Sequence, residues 1–364
     1  MNTRPTIKLL VLLCLFIFGT AHSSVFGQTQ PRKWQDDEPK FVEYYAPMLG
    51  ADEFATIKRG RDALIRRLEE GDPGTSDRLR YSRLVIGHVK GFLNDPREIV
   101  RINAMRVIGE LGTDESVHLL IGFLDDKQAT ARHMAVFAIG RAFRTALDSA
   151  RPAAMDAGAT KQVIRDLAQG LENENVSLIV DAYVRTFDAA SAVKSPNLSE
   201  IPPLALIELT DAMGRRVQKM NDATQDLHLA RAFLRASTLV RDRLADPRIR
   251  TSEELARRVS AMAGHLLAYV LHDVRANINA EVNPDYRRAQ INICKSTQAI
   301  IALAHDRLDP VNVQRANKIG RLRPAERLEQ NDLDGFVQVV GALIGPPGIL
   351  TEKPFGYPDG AFLK

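Results

Sequence analysis

The chain has 364 residues, 45% hydrophobic and 26% charged, which is the composition of an ordinary folded protein with length enough for a substantial core. Aromatic residues make up only 6% while Ala, Leu, Ile, Val and Arg dominate, which counts against a β-sandwich and suits close helix packing. A formal net charge of +4 is too small to be the electrostatic footprint of a polyanion binder, so no nucleic-acid partner is expected.

Residues 1–27 read as an export signal. Arg4 and Lys8 make a basic start, 9–18 is an unbroken apolar run, and 19–27 is a small and polar exit with Ala21 or Gly27 before the cut. A bilayer-spanning helix takes about 20 apolar residues, so this run predicts no stable membrane span after cleavage. Cys14 lies inside the apolar run behind Leu13, where a lipoprotein anchor would need a small residue. Cleavage leaves 47 basic against 45 acidic residues, a balance of +2, and the expected location is periplasmic or extracellular. It also leaves one cysteine, Cys294, so no intrachain disulfide can form. The surrounding Ile291, Ile293, Ile300 and Ile301 make that thiol a small buried hydrophobe.

Residues 28–50 form a lead-in, polar up to 40, with Tyr44, Tyr45 and Met48 placed to dock on the first hairpin. The spacing of Phe54, Ile57, Ala63, Leu64 and Leu68 predicts a helix over 52–70, ended by Gly71-Asp72-Pro73-Gly74. Helices follow over 76–93, 97–111, 115–124 and 129–147, with Asn94-Asp95-Pro96 as a cap that puts proline at the first helical position. Residues 149–160, rich in Ala, Gly and Pro, read as an inserted loop before helices over 161–170 and 176–190. Pro196, Pro202 and Pro203 break the chain. Beyond them, periodicity predicts helices over 204–220, 224–244, 252–276, 285–306 and 325–343, then an irregular tail over 346–364. No stretch carries a strand pattern.

One pattern is written twice over 91–143. Gly91-Phe92-Leu93-x-Asp95 returns as Gly122-Phe123-Leu124-x-Asp126, and Arg101, Ala104, Ile108 and Gly109 return as Arg132, Ala135, Ile139 and Gly140. Every offset is 31 residues, a period that signals stacked helical hairpins. The Leu-x-Asp turn, the following Arg, the Ala and the Ile-Gly pair resemble the second-helix pattern of HEAT-type repeats. A degenerate third copy aligns Leu171, Asn173 and Ala182, with Ile179 where the family has Arg. The resemblance implies an all-α fold: a right-handed, armadillo-type α-solenoid over 51–193, followed by a C-terminal helical region over 200–345 made of diverged repeats or a bundle. It implies that Arg101 and Arg132 are structural, bonding the turn aspartates Asp95 and Asp126. It also implies a concave face lined by the second helices, where Arg106, His133, Arg141 and Arg144 are the candidate binding residues for carboxylates, sulfates or an acidic protein segment.

Chemistry-bearing motifs are missing from the sequence. There is no Gly-x-x-x-x-Gly-Lys-Ser/Thr, no Gly-x-Ser-x-Gly and no His-Glu-x-x-His. His265 and His272 share a helix face with Asp273 nearby, but at 1.5 Å per residue they stand about 10 Å apart along the axis, too far for one metal ion. Asp36-Asp37-Glu38, Glu69-Glu70 and Asp125-Asp126 are adjacent pairs or runs that face solvent or cap helices. No cofactor, metal or catalytic set is therefore expected. The sequence reads as an exported, non-enzymatic protein-binding or scaffolding protein, with the partner and the oligomeric state left open. The alternative is an enzyme with its site among helices 204–343, where His228, His265, His272, His305, Asp273 and Asp306 would have to converge.

Overall fold

The computed structural model describes residues 37–70, 73–147, 152–220, 225–246, 252–277 and 281–362. The expected export signal, the first part of the lead-in and the first half of the 71–74 turn lie outside them. Among the described residues the fold is all-α, without a strand.

The helices are α1 Glu38–Tyr45, α2 Phe54–Glu70, α3 Thr75–Val89, α4 Glu98–Leu111, α5 Asp114–Ile121, α6 Ala129–Arg144, α7 Ala157–Asn173 and α8 Ser177–Ser191. They continue as α9 Ile201–Lys219, α10 Leu227–Ala245, α11 Glu253–Ala276, α12 Pro284–Leu308, α13 Val313–Leu322, α14 Pro324–Glu329 and α15 Leu333–Ile344. Two rows result, because each helix packs on the next but one. The first row runs α2, α4, α6, α8, α10, α12, and the second runs α5, α7, α9, α11 and ends on α15. One apolar cluster threads both rows from Val42 to Phe362. Helix α3 ties the start together: the Tyr81 hydroxyl donates to the Leu64 carbonyl at 2.9 Å, and Ser82 meets Thr113, the N-cap of α5, at 2.8 Å.

The duplicated sequence makes duplicated contacts. Arg101 Nη1 donates to the Asp95 carbonyl at 2.7 Å, and Arg132 Nη1 to the Asp126 carbonyl at 2.8 Å. The carboxylates have a different task. Asp95 Oδ1 accepts from the Arg97 amide at 2.9 Å and Asp126 Oδ1 from the Gln128 amide at 2.7 Å, and those residues are the N-caps of α4 and α6. Pro96 thus precedes the cap instead of opening the helix. Gly109 and Gly140 mark where the first row closes up. A Cβ on Gly109 would lie 2.6 Å from the Ala138 carbonyl oxygen on α6, and one on Gly140 would lie 2.8 Å from Thr186 Oγ1 on α8. Only glycine allows backbones that close.

The third copy is shifted by one residue from the sequence alignment. Glu174, not Asn173, does the work of the turn aspartates, with Oε1 accepting from the amide of Val176, the N-cap of α8, at 2.9 Å. The position equivalent to Arg101 and Arg132 is then Val180 in place of Ile179. The missing guanidinium comes from another helix: Arg216 on α9 donates to the Glu174 carbonyl.

Three further differences from the sequence reading have local causes. Helix α7 begins at Ala157, inside the expected 149–160 loop, because Asp156 caps it by accepting from the Ala159 amide at 3.0 Å; residues 148–151 lie outside the described set. The helix expected over 325–343 is two, α14 and α15, parted at Asn331, whose φ of 56° cannot continue a helix. Helices α1 and α13 occupy stretches in which the sequence reading placed no helix.

Residues after α15 have no helix but are anchored. Ile349, Leu350, Phe355 and Phe362 are buried. Arg257 on α11 donates to the carbonyls of Pro354 and Phe355 at 3.0 and 2.9 Å, and Tyr357 meets Ser260 at 3.0 Å. Cys294 on α12 is fully buried, and burial pushes its thiol up to about 12.

Candidate protein-binding groove

Helices α6 and α8 are neighbours in the first row, and their outward faces leave a groove of about 290 Å³ between them. From α6 it is lined by His133, Phe137, Arg141 and Arg144, and from α8 by Leu178, Asp181 and Arg185. Three of the four residues picked from the sequence, His133, Arg141 and Arg144, are therefore brought together. Arg106 is not among them. It lies on α4, and its counterpart one period on is Phe137.

The arginines differ in how far they are engaged. Arg141 Nε donates to Glu110 Oε1 on α4 at 2.6 Å, which holds its charge in a bridge between layers. Arg185 Nε pairs with Asp181 Oδ2 at 2.7 Å, and Arg235 Nε on α10 takes the other oxygen, Oδ1, at 2.7 Å. Burial raises the Asp181 carboxyl, but the hydrogen bonds from Arg235 and Arg185 outweigh it and hold it below its usual value. Arg144 and Arg106 are exposed and meet no acceptor among the described residues. Burial lowers the His133 imidazole below its usual value, with Asp181 pulling the other way, so His133 brings a neutral ring at pH 7.

The structural roles of Arg101 and Arg132 come from carbonyls and neighbouring layers. Besides the Asp95 carbonyl, Arg101 reaches Gln128 in the next turn. Arg132 grips Glu174 with Nε and Nη2, both at 2.9 Å, across two turns of the first row.

Sequence reasoning missed Phe137, Leu178, Asp181 and Arg185. Phe137 is 39% exposed and Leu178 53%, and two large apolar side chains open to one groove are the unusual feature of this face. Leu178 stands four residues after Glu174, as Ile99, 43% exposed, stands four after Asp95. That signal is readable once the third turn is in register.

The residues of the enzymatic alternative differ in burial. His228 and His272 are exposed. His265 is buried with its Nε2 2.8 Å from Gln218 Nε2 and its ring against Phe362. His305 is fully buried beside Phe355, and the Asp306 carboxylate lies 3.6 Å from its Nδ1. Asp273 is buried and bonded by Gln290 at 2.6 Å, and burial raises its pKa. Among the described residues no group of three His, Cys, Asp or Glu side chains is spaced to hold a metal ion, and no helix is long and apolar enough to cross a membrane. A larger depression, about 560 Å³, lies elsewhere, at the start of α12.

No family model and no curated protein matches the chain. A crystal structure of an engineered protein aligns with 84% of this chain and 99% of its own, at 10% identity and a TM-score of 0.27, an overlap too low to carry a conclusion about either fold or function.

Proposed function

We propose that the chain is a HEAT-like α-solenoid that binds a protein segment in the groove between α6 and α8, and that it works by holding a partner and not by catalysis. The two-row packing, the repeated turn contacts and the glycine contacts at Gly109 and Gly140 support the solenoid reading, with α2, α4, α6, α8, α10 and α12 as its inner layer. The observation that carries the binding reading is the pairing of exposed Phe137 and Leu178 with the unengaged guanidinium of Arg144 in one groove. An apolar anchor seated between the two side chains would shed water from both, and a carboxylate of the same segment would pair with Arg144. The partner is thus an extended or helical segment with an apolar residue flanked by Asp or Glu. The reading of residues 1–27 as an export signal puts the encounter outside the cytoplasm.

Selection of peptides from a random display library on the full chain tests this. Selected peptides should share an apolar residue flanked by acids, and their affinity should fall about tenfold or more in Phe137→Ser and in Arg144→Glu, both exposed positions. Peptides with no such pattern, or affinities unmoved by either substitution, would sink the proposal. Mass spectrometry of the secreted chain should find its N-terminus just after Ala21 or Gly27; an intact Met1 in that fraction would count against export by this signal.

A further inference from the structure

The 560 Å³ depression at the start of α12 is within the size range of small-molecule sites and has an unusual wall. It is lined by Asn277, Arg287, Arg288, Asn292 and Lys295, with Glu329 as the one carboxylate among its lining residues. Arg287 is half-buried, its Nη1 is enclosed with no hydrogen-bond partner, and no carboxylate lies within ion-pair distance of it among the described residues. Asp273 acts on this guanidinium only through space, and an orphaned buried donor calls for an explanation.

The groups behind the wall hold it in place. Asn277 Nδ2 donates to the Asp273 carbonyl at 2.9 Å and to Asp273 Oδ1 at 3.3 Å, while its Oδ1 accepts from Gln225 at 3.0 Å. Asp273 Oδ2 is taken by the fully buried Gln290 at 2.6 Å. The side chain of Asn277, one of the lining residues, is therefore fixed in orientation. The two outer cations are only loosely engaged: Arg288 lies 3.5 Å from Asp285, and Lys295 3.3 Å from Glu329, all four side chains being about half exposed or more. Exposed pairs of this kind are weak and give way to a better acceptor.

We propose that this depression is a binding site for a small organic anion, one whose carboxylate or phosphate group lies against Arg287 and is flanked by Arg288 and Lys295, with its polar body against Asn277 and Asn292. The site is on different helices from the groove between α6 and α8 and does not depend on that reading. Arg287, which has no ion-paired carboxylate among the described residues, is the primary contact, and the outer pair supplies field and on-rate.

Isothermal titration calorimetry of the full chain with inorganic phosphate and, separately, with citrate tests it. At least one probe should give saturable heat, weakening as salt is raised. Phosphate alone would assign a phosphate ligand and citrate alone a carboxylate ligand. Affinity should fall about tenfold or more in Arg287→Gln. Because that substitution touches a half-buried residue, the exposed double variant Arg288→Gln/Lys295→Gln is the companion measurement, and it should weaken binding about fivefold or more with an unchanged circular dichroism spectrum. No saturable heat from either probe overturns the proposal. So does unchanged affinity in the double variant, whatever the Arg287 variant does.

Discussion

Arg132 reaches further than any other residue of the duplicated pattern. It holds the carbonyl of its own turn and both oxygens of Glu174, a side chain only 2% exposed. Removing one partner of such a pair leaves a buried charge uncompensated, at a cost of about 3–5 kcal/mol. Arg132→Ala should therefore lower the urea midpoint strongly, while Arg101→Ala, whose partners are carbonyls and an exposed glutamine, should cost about 1 kcal/mol. Equal losses in the two variants would show that the Glu174 bridge is not the source. The pair also sets a pH dependence. Burial raises the Glu174 carboxyl, but the hydrogen bonds from Arg132 and the Val176 amide outweigh that and hold its pKa below the ordinary value of 4.5. A depressed folded-state pKa stabilises above 4.5 and loses that contribution as the pH falls through the folded value. Unfolding free energy measured from pH 7 downward should drop below pH 4.5, and Glu174→Gln should flatten that part of the curve. From the sequence, Arg132 was legible as structural because its period and turn were visible. Its true partner was not, because Glu174 sits past an inserted loop in a turn one residue out of register.

Helix contacts in the first row depend on where a methyl group is tolerated. An alanine in a helix interior is favoured over glycine by about 1 kcal/mol. At Gly109 that gain meets a backbone carbonyl 2.6 Å away, and overpacking costs about 1–3 kcal/mol, so Gly109→Ala should be destabilising on balance. Gly140→Ala should cost less, since the crowding atom is the Thr186 hydroxyl, although that hydroxyl is bonded to the Val136 carbonyl at 2.8 Å. Gly87 on α3 has nothing within 4 Å, so Gly87→Ala should stabilise by up to about 1 kcal/mol. Thermal unfolding of the three variants checks the order; stabilisation by Gly109→Ala would show that α4 and α6 do not approach as described. Helix existence was mostly readable, because Val100, Ala104 and Ile108, like Ala131, Ala135 and Ile139, repeat their burial as they repeat their spacing. The break between α14 and α15 was not, because the apolar spacing of Leu328, Phe336 and Val340 carries on through a residue of positive φ that only geometry reveals.

Assembly of the rows rests on long-range bridges that no local pattern announces. Arg61 reaches Asn103 at 2.8 Å, Arg141 reaches Glu110, and Arg235 reaches Asp181, each linking one first-row helix to the next. The sequence reading placed Arg141 with Arg106, His133 and Arg144 on one binding face. Folding ties Arg141 to Glu110 and leaves Arg106 and Arg144 without an acceptor among the described residues, so three of the four predicted residues share one groove whose apolar half, Phe137 and Leu178, went unread. The irregular tail matters at this level too. Phe362 fills space against Gly264, where a Cβ would lie 2.6 Å from its ring, and Phe355 is 3% exposed. Phe355→Ala should cost about 3–5 kcal/mol, comparable to a loss in the middle of a helix. A cost below about 1 kcal/mol, read from chemical denaturation, would show that the tail is loosely attached.

Both ends of the stack are plugged. Helix α1 and the turn at Ala46–Gly50 cover α2, while α15 and the strap behind it cover α11. Extra hairpins therefore cannot be added at either terminus without uprooting a plug. They can enter only from within, as the twofold copy over 91–143 already illustrates. Splicing in a third copy there should yield a longer molecule with the same two stoppers.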